Sequence, residues 1–356
     1  VEDNSGNAAT CTGTVTVLDT ISPAAVCQNV TIYMDAASNS SITAADIDNG
    51  SSDICGIANL ALDQTDFVCT DIGVQTVVLT VEDNNGNTST CSASVTIADT
   101  TLPVANCQDI TVYLDNGGNA SIIASDVNNS SSDNCAIVNQ VIDDSDFTCA
   151  DVGANTVVLT ITDFGGNSTS CNSTVTVLDT VSPVAACQTI SIVLDSFGNA
   201  SIGGSDIDNG SSDNCAIATL VANPNVFGVG DIGPNNVTLT VTDVNGNTST
   251  CTSTVVVNDN DAPNMICQDV TAYLNASGVV SVSASEVDNG SSDPSGISSL
   301  SVSPSSFSCS HIGTNGVTLT AIDNESNSGF CSAIVTVIDT VSPVAVCQNA
   351  TVTLDA

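Results

Sequence analysis

Two rows of cysteine, both with one and the same step, run the length of this chain. One holds Cys27, Cys107, Cys187, Cys267 and Cys347; the other holds Cys11, Cys91, Cys171, Cys251 and Cys331. The segments LDTISP, ADTTLP, LDTVSP, NDNDAP and IDTVSP keep the same register. Self-similarity at one fixed period marks a tandem-repeat architecture. The frame places repeats at 21–100, 101–180, 181–260 and 261–340, with 1–20 the C-terminal end of a preceding repeat and 341–356 the start of a following one. Because the register opens inside a repeat, the chain reads as a segment of a longer protein. A unit this short buries a limited core, and small cores call for covalent or metal staples.

Within a repeat the apolar residues alternate, as in half-buried strands. In the second repeat CQDITVYLD (107–115) reads as a first strand and NASIIASDV (119–127) as its antiparallel return. AIVNQVID (136–143) is a third strand, NTVVLTITD (155–163) a central one and TSCNSTVTVLD (169–179) the last. Turns such as DNNGN and DFGGN join the last two as a hairpin. No helical period of useful length is present. Six or seven short strands with closely spaced turns predict an all-β chain: tandem immunoglobulin-like β-sandwich repeats of about 80 residues in an elongated array.

Composition narrows the function. The chain has 356 residues, no Lys or Arg, 39 Asp plus Glu, one His and a formal charge of −39. Binding to a phosphate backbone needs protein cations, as does a polybasic membrane patch, so both are excluded. No apolar run reaches the ~20 residues of a membrane span. Sixteen cysteines without a Cys-x-x-Cys fit disulfides, hence an oxidising, extracellular setting, better than zinc. With no phosphate loop, no cationic side chain and no Ser–His or Cys–His pairing, the chain is not expected to be an enzyme.

The segment LTVEDNNGNTSTCSASVTIADTTLP resembles the end of a hyalin repeat (HYR) module: a D-x-x-G-N turn, a cysteine on the last strand and a D-x-x-x-P junction. The resemblance covers all four repeats and both partial ones. It implies an extracellular, immunoglobulin-like module associated with adhesion, of a kind found in tandem in very long surface proteins of Bacteroidetes-type bacteria. The junction NDNDAP (258–263) also resembles the cadherin calcium linker.

In such a sandwich the chain enters at a leading end and leaves at a trailing end. Cys107 begins the first strand, and Cys171 lies near the start of the last, which also runs from the leading end. Bridges within repeats are therefore expected at Cys27–Cys91, Cys107–Cys171, Cys187–Cys251 and Cys267–Cys331. A Cys91–Cys107 bridge would have to cross about 25 Å of strand, against a Cα separation of ~7 Å at most. Cys135 sits at the leading end and Cys149 at the trailing end, which favours bridges between repeats, Cys69–Cys135 and Cys149–Cys215. The next pair would be Val229 and Ser295, and both cysteines are missing there together. The local alternative, Cys55–Cys69 and its equivalents, leaves Cys215 and Cys309 as lone thiols. In the favoured scheme Cys55, Cys309, Cys11 and Cys347 pair outside this stretch.

Acids and amides gather at the same junctions. The leading-end turn offers Asp83, Asn85, Asn87, Asp163, Asn167, Asp243, Asn245, Asn247, Asp323 and Asn327. A leading-end loop adds Asp126, Asp133, Asp206, Asp208 and Asp213, and the preceding linker adds Asp19, Asp99, Asp179, Asp259, Asp261 and Asp339. The trailing-end DIG or DVG segment adds Asp71, Asp151 and Asp231, a place that His311 takes in the fourth repeat. Oxygen ligands without imidazole or thiolate suit a hard cation, so structural Ca²⁺ is expected at the junctions. Asp and Asn also favour turns for their own backbone hydrogen bonds, and each single residue carries that plainer explanation as well. Thr20, Thr100, Thr180 and Thr340, each in Asp-Thr-hydrophobic, are candidate O-glycosylation sites, and Asn-x-Ser/Thr sequons recur.

The reading that results is a structural component of an extracellular, cell-surface fibre or stalk, rigidified by junctional calcium and by disulfides within and between repeats. Self-association or a very long chain would build the fibre, with glycans as a candidate decoration. The alternative is an adhesin that binds a glycan or a partner surface through exposed loops. Non-reducing peptide mass spectrometry after cleavage at Asp is expected to recover a Cys69–Cys135 linked peptide; a Cys55–Cys69 peptide would mean separately closed beads.

Overall fold

The structure, a computed structural model, describes residues 1–352. It forms two compact units, Val1–Asp179 and the chain from Thr180 onward, each holding two full repeats. In the first repeat the elements are β1 (Val30–Tyr33), β2 (Asn39–Ser41), α1 (Ala44–Ile47), β3 (Ile57–Leu62), β4 (Asp66–Val68), β5 (Gly73–Asp83) and β6 (Thr88–Ala98). One sheet has the order β1-β6-β5-β3, and β2 pairs with β4 in a second. The same set recurs in the other three repeats. The chain is therefore all-β, with four β-sandwich units.

The long hairpin β5–β6 is the backbone of each unit. Both strands are rich in Val and Thr, whose branched side chains suit a pleated surface. On β5 the side chains of Val77, Leu79 and Val81 point inward and are fully buried; on β6 Ala93, Val95 and Ile97 do the same. Gly86, at φ +88°, supplies the left-handed residue of the connecting turn.

Three features depart from the strand reading of the sequence. The first strand does not pair with the segment that follows it but runs parallel to the last, with Val30 opposite Val95. The span 119–127 is not one strand: Asn119–Ser121 pairs with Asp146–Thr148 in the second sheet, and Ala124–Val127 is a single helical turn. The cap explains the switch, because Asp126 Oδ2 accepts the N–H of Ile123 at 2.8 Å and closes the turn. Four residues are too few to show a helical period. The third departure is the short strand at Asp146–Thr148, whose Phe147 is 1% exposed. Phe67, Phe227 and Phe307 repeat it, each buried at the centre of its own sandwich.

Within repeats the structure bonds Cys27 to Cys91, Cys107 to Cys171, Cys187 to Cys251 and Cys267 to Cys331. Each closes a separation of 64 residues, which in the chain-entropy account is worth about 4 kcal/mol. Cys149 and Cys215 are both disulfide-bonded. Among the described residues Cys11, Cys55, Cys309 and Cys347 are free and exposed.

Truncating the central aromatic, Phe147→Ala, is expected to destabilise the second repeat by about 3–5 kcal/mol. Urea-dependent hydrogen exchange of amides in Gly153–Leu178 checks it, with the amides of β5 and β6 as the internal reference.

Candidate metal centre

The inward rows of the hairpin do not end on apolar residues. Continuing the alternation Val77, Leu79, Val81 by one step brings Asp83 inside, at 1% exposure. Continuing Ala93, Val95, Ile97 brings Asp99 inside, at 6%. The first carboxylate stands at the leading end of its own repeat. The second leaves from the trailing end and reaches the leading end of the next. Period-two geometry alone thus carries acids of two successive repeats to one junction.

At the junction of the first and second repeats, Asp99, Asp133 and Asp163 each offer a carboxylate oxygen, all within 4.8 Å of one another. Asp163 is held by its turn: its Oδ1 accepts the Asn167 N–H at 2.7 Å, and its Oδ2 accepts from Asn167 Nδ2 at 2.9 Å. That same Nδ2 donates to the Asp99 carbonyl at 3.1 Å, tying the turn to the linker. Asp133 Oδ2 accepts the N–H of Cys135 at 2.7 Å. Asp99 Oδ1 accepts the N–H of Thr101 at 3.0 Å. Oδ2 of Asp99, Oδ1 of Asp133 and Oδ1 of Asn134 are buried and without a hydrogen-bond partner.

Those orphaned oxygens are the physical test of a cation. Like charges about 5 Å apart repel by a few kcal/mol at an effective dielectric near 20, and a buried acceptor without a donor adds a further cost. The chain has no Lys or Arg to offset either. A set of hard oxygen donors with open lone pairs fits Ca²⁺. Beside the cluster Cys69 bonds to Cys135, with Cα atoms 5.3 Å apart, so one disulfide closes the junction that the carboxylates line.

The equivalent residues of the fourth repeat, Asp259, Asp293 and Asp323, form a second cluster under the same distance limit. At the head of the first repeat the cluster is Asp19, Asp53 and Cys55. There the hydrogen bond to Asp19 pushes the Cys55 thiol above its ordinary range, helped by burial and by the charges of Asp19, Asp53 and Asp83. Asp53 and Asp293 are absent from the sequence-based ligand set; each lies one repeat step from a member, Asp133 or Asp213, and that step alone finds them.

Other sequence-based candidates serve the backbone. Asp71, Asp151 and Asp231 stand apart from the clusters and cap short 3₁₀ turns, accepting the N–H of Val68, Thr148 and Gly228. His311 takes over that role, its Nδ1 accepting from Ser308 N at 3.0 Å. Asp126 and Asp206 cap helical turns, and Asp208 accepts the N–H of Ser211. Asn87, Asn247 and Asn327 direct their amide nitrogens at the turn Asp, so they brace a carboxylate rather than add an oxygen. Asn85 and Asn245 donate only backbone N–H to Asp83 and Asp243. Asp261 donates its N–H to Asp259, and Asp339 is exposed and accepts from Val341 N. Asp179 and Asp243 are buried and Asp213 is half-buried. Thr20, Thr100, Thr180 and Thr340 are all exposed.

No protein-family model matches the chain. Over 236 residues, 61% of this chain, it is 30% identical to hyalin of Strongylocentrotus purpuratus, and the match spans 19% of hyalin. Among solved structures it is similar to the protocadherin gammaB7 EC3-6 cis-dimer at 12% identity, covering 87% of this chain and 99% of that one with a TM-score of 0.29. It is also similar to the insect immune protein hemolin at 9% identity, covering 89% of this chain and 100% of that one with a TM-score of 0.27.

The turn has its own pH signature. Burial pushes the Asp83 carboxyl up, but the Asn87 side chain and the N–H groups of Asn87, Asn85 and Gly86 together outweigh it and hold the group below its ordinary value. A lowered folded-state value means that the turn's contribution is present above the unfolded carboxyl value of about 3.9 and is lost as pH falls through the lower one. By carbon-detected NMR, Asp83 is expected to titrate below about 3.9, and Asn87→Ala is expected to move it upward.

Proposed function

We propose that this chain is a non-catalytic structural stretch of an extracellular surface fibre or stalk, with Ca²⁺ at its repeat junctions acting alongside disulfides. The observation that carries the reading is Asp99: 6% exposed, one oxygen unpartnered, grouped with two further carboxylates in a chain devoid of Lys and Arg. Asp99, Asp133 and Asp163 would hold the ion, with Asn134 Oδ1 the nearby neutral oxygen. When bound, the ion supplies the positive charge that the side chains lack. The chain itself does the positioning: Asn167 clamps Asp163 to the linker, and the Cys69–Cys135 bond keeps the two repeats from parting. Disulfides at this density support an oxidising, extracellular location.

Self-association of copies, or one very long chain, would extend such a stretch into a fibre. The exposed Asp-Thr-hydrophobic threonines would be open to glycan attachment. A second reading, an adhesin that binds a glycan or a partner surface, is favoured at one place. Phe197, 82% exposed, lines an open cleft of about 600 Å³ with Asp261, Asn264 and Pro294.

Calcium removal tests the proposal. A ligand that binds only the folded state at one hundred times its Kd stabilises by about 2.7 kcal/mol per site, so chelation is expected to lower the thermal midpoint and Asp99→Asn to blunt the difference. An unchanged midpoint with and without Ca²⁺ would overturn the junctional role.

A further inference from the structure

Four residues lock the second repeat onto the first, and each is replaced at the junction of the third and fourth repeats by one that cannot do the same. Cys69 bonds to Cys135. Ser38 Oγ donates to the Asn134 carbonyl, and Asn134 Nδ2 donates to the Asp35 carbonyl at 3.2 Å. In the same register the later junction has Val229 and Ser295 for the cysteines, Gly198 for Ser38 and Pro294 for Asn134. Val229 and Ser295 form no bridge, Gly198 carries no hydroxyl, and Pro294 has no side-chain donor. Ser295 turns to its own repeat, its Oγ donating to Asp293 Oδ1 at 2.6 Å.

The cores differ in the same way. Cys135, 4% exposed, packs into the apolar core of the first repeat, so the staple joins the two bodies at depth. The cores of the third and fourth repeats are separate, one drawn from 185–257 and the other from 265–337. Among the described residues, one side-chain hydrogen bond ties the fourth repeat to the third, from Asn327 Nδ2 to the Asp259 carbonyl at 3.1 Å. It ends on the linker, and the first junction has its twin in Asn167 and Asp99. Away from the linker the two bodies meet at Gly198, where an added Cβ would lie 2.8 Å from Pro294 Cβ. Contact between a few carbons is weak, and without a large apolar interface neighbouring domains move against each other. Both junctions also gather three carboxylates that repel one another. The Cys69–Cys135 bond restrains that repulsion, and the later seam has no covalent restraint.

An open cleft of about 600 Å³ lies in this seam, with Ser196 and Phe197 from the third repeat and Asp261, Asn264 and Pro294 from the fourth. Its walls belong to different repeats, so a change in the angle between them opens or closes it. We infer that the junction between the third and fourth repeats is a hinge, about which the fourth repeat swings and works the cleft beside Phe197, while the Cys69–Cys135 bond makes the first two repeats one rigid body. The hinge goes beyond the fibre reading above and needs no bound ion, since the links that set the two junctions apart are bonds of the chain to itself.

Hinge motion of whole domains falls in the μs–ms range, over which residual dipolar couplings average. The experiment measures amide couplings of the whole chain, aligned in an uncharged gel with chelator present, and fits an alignment tensor to each repeat. The first and second repeats are expected to share one tensor, and the third and fourth to need two of unequal magnitude. Cys69→Val with Cys135→Ser, which copies the later junction, is expected to split the shared tensor. Val229→Cys with Ser295→Cys is expected to merge the other two once peptide mass spectrometry shows the new bridge. The comparison in the unsubstituted chain stands whether or not that bridge forms. One tensor for its third and fourth repeats would overturn the hinge. So would two tensors that stay apart after the bridge has formed, or a first junction as loose as the later one. With chelator present, either result leaves the calcium reading to its own test.

Discussion

A buried carboxylate in a chain without a cationic side chain is the constraint around which the repeat junctions are organised. Asp83, Asp99, Asp163, Asp259 and Asp323 are all at or below 9% exposure, and no Lys or Arg exists to pair with them. Burying a charge without compensation is costly. The fold meets part of that cost with backbone: the turn Asp residues accept two or three N–H and amide bonds each from the five-residue turn that each opens. The linker Asp residues are less well served. Asp99 keeps an unpartnered oxygen, and that asymmetry directs attention to the linker rather than to the turn.

The junctions combine a local brace with something that spans two repeats. The brace is the turn Asn, whose amide reaches the carbonyl of the preceding linker Asp: Asn87 to Asp19, Asn167 to Asp99, Asn327 to Asp259. The spanning element is variable. Between the first and second repeats it is a disulfide; between the third and fourth an apolar seam and extra acids occupy the same register. A covalent bond tolerates changes in ionic conditions, whereas an ion-held contact follows the free cation concentration.

How much could be read beforehand depended on whether the signal was periodic. The bridges within repeats and the Cys69–Cys135 bridge followed from the repeat step and the direction of two strands, and the sequence shows that Val229 and Ser295 lack cysteine together. The clustering of linker, loop and turn acids at one end was likewise visible, although Asp53 and Asp293 were overlooked where the same step would have supplied them. Asp71, Asp151 and Asp231 looked equivalent to the others because composition carries no direction. Their side chains turn back onto their own 3₁₀ caps, a short-range hydrogen bond that competes with any ligand role. Segment 119–127 was misread because an alternating apolar pattern and a four-residue helical turn look alike at that length.

By itself the sequence determined the repeat, the sandwich class, the all-acidic charge and the inward rows that end in Asp, since each follows from the strand alternation or the repeat step along the chain. Only the tertiary structure decided which acids meet, which oxygens are left without a donor, and that the first strand pairs with the last. Those facts depend on how strands far apart in the chain register against one another. The alternation of apolar residues fixes which face of each strand turns inward, but which distant strand it meets is settled only when the sandwich packs around Phe67 and its equivalents.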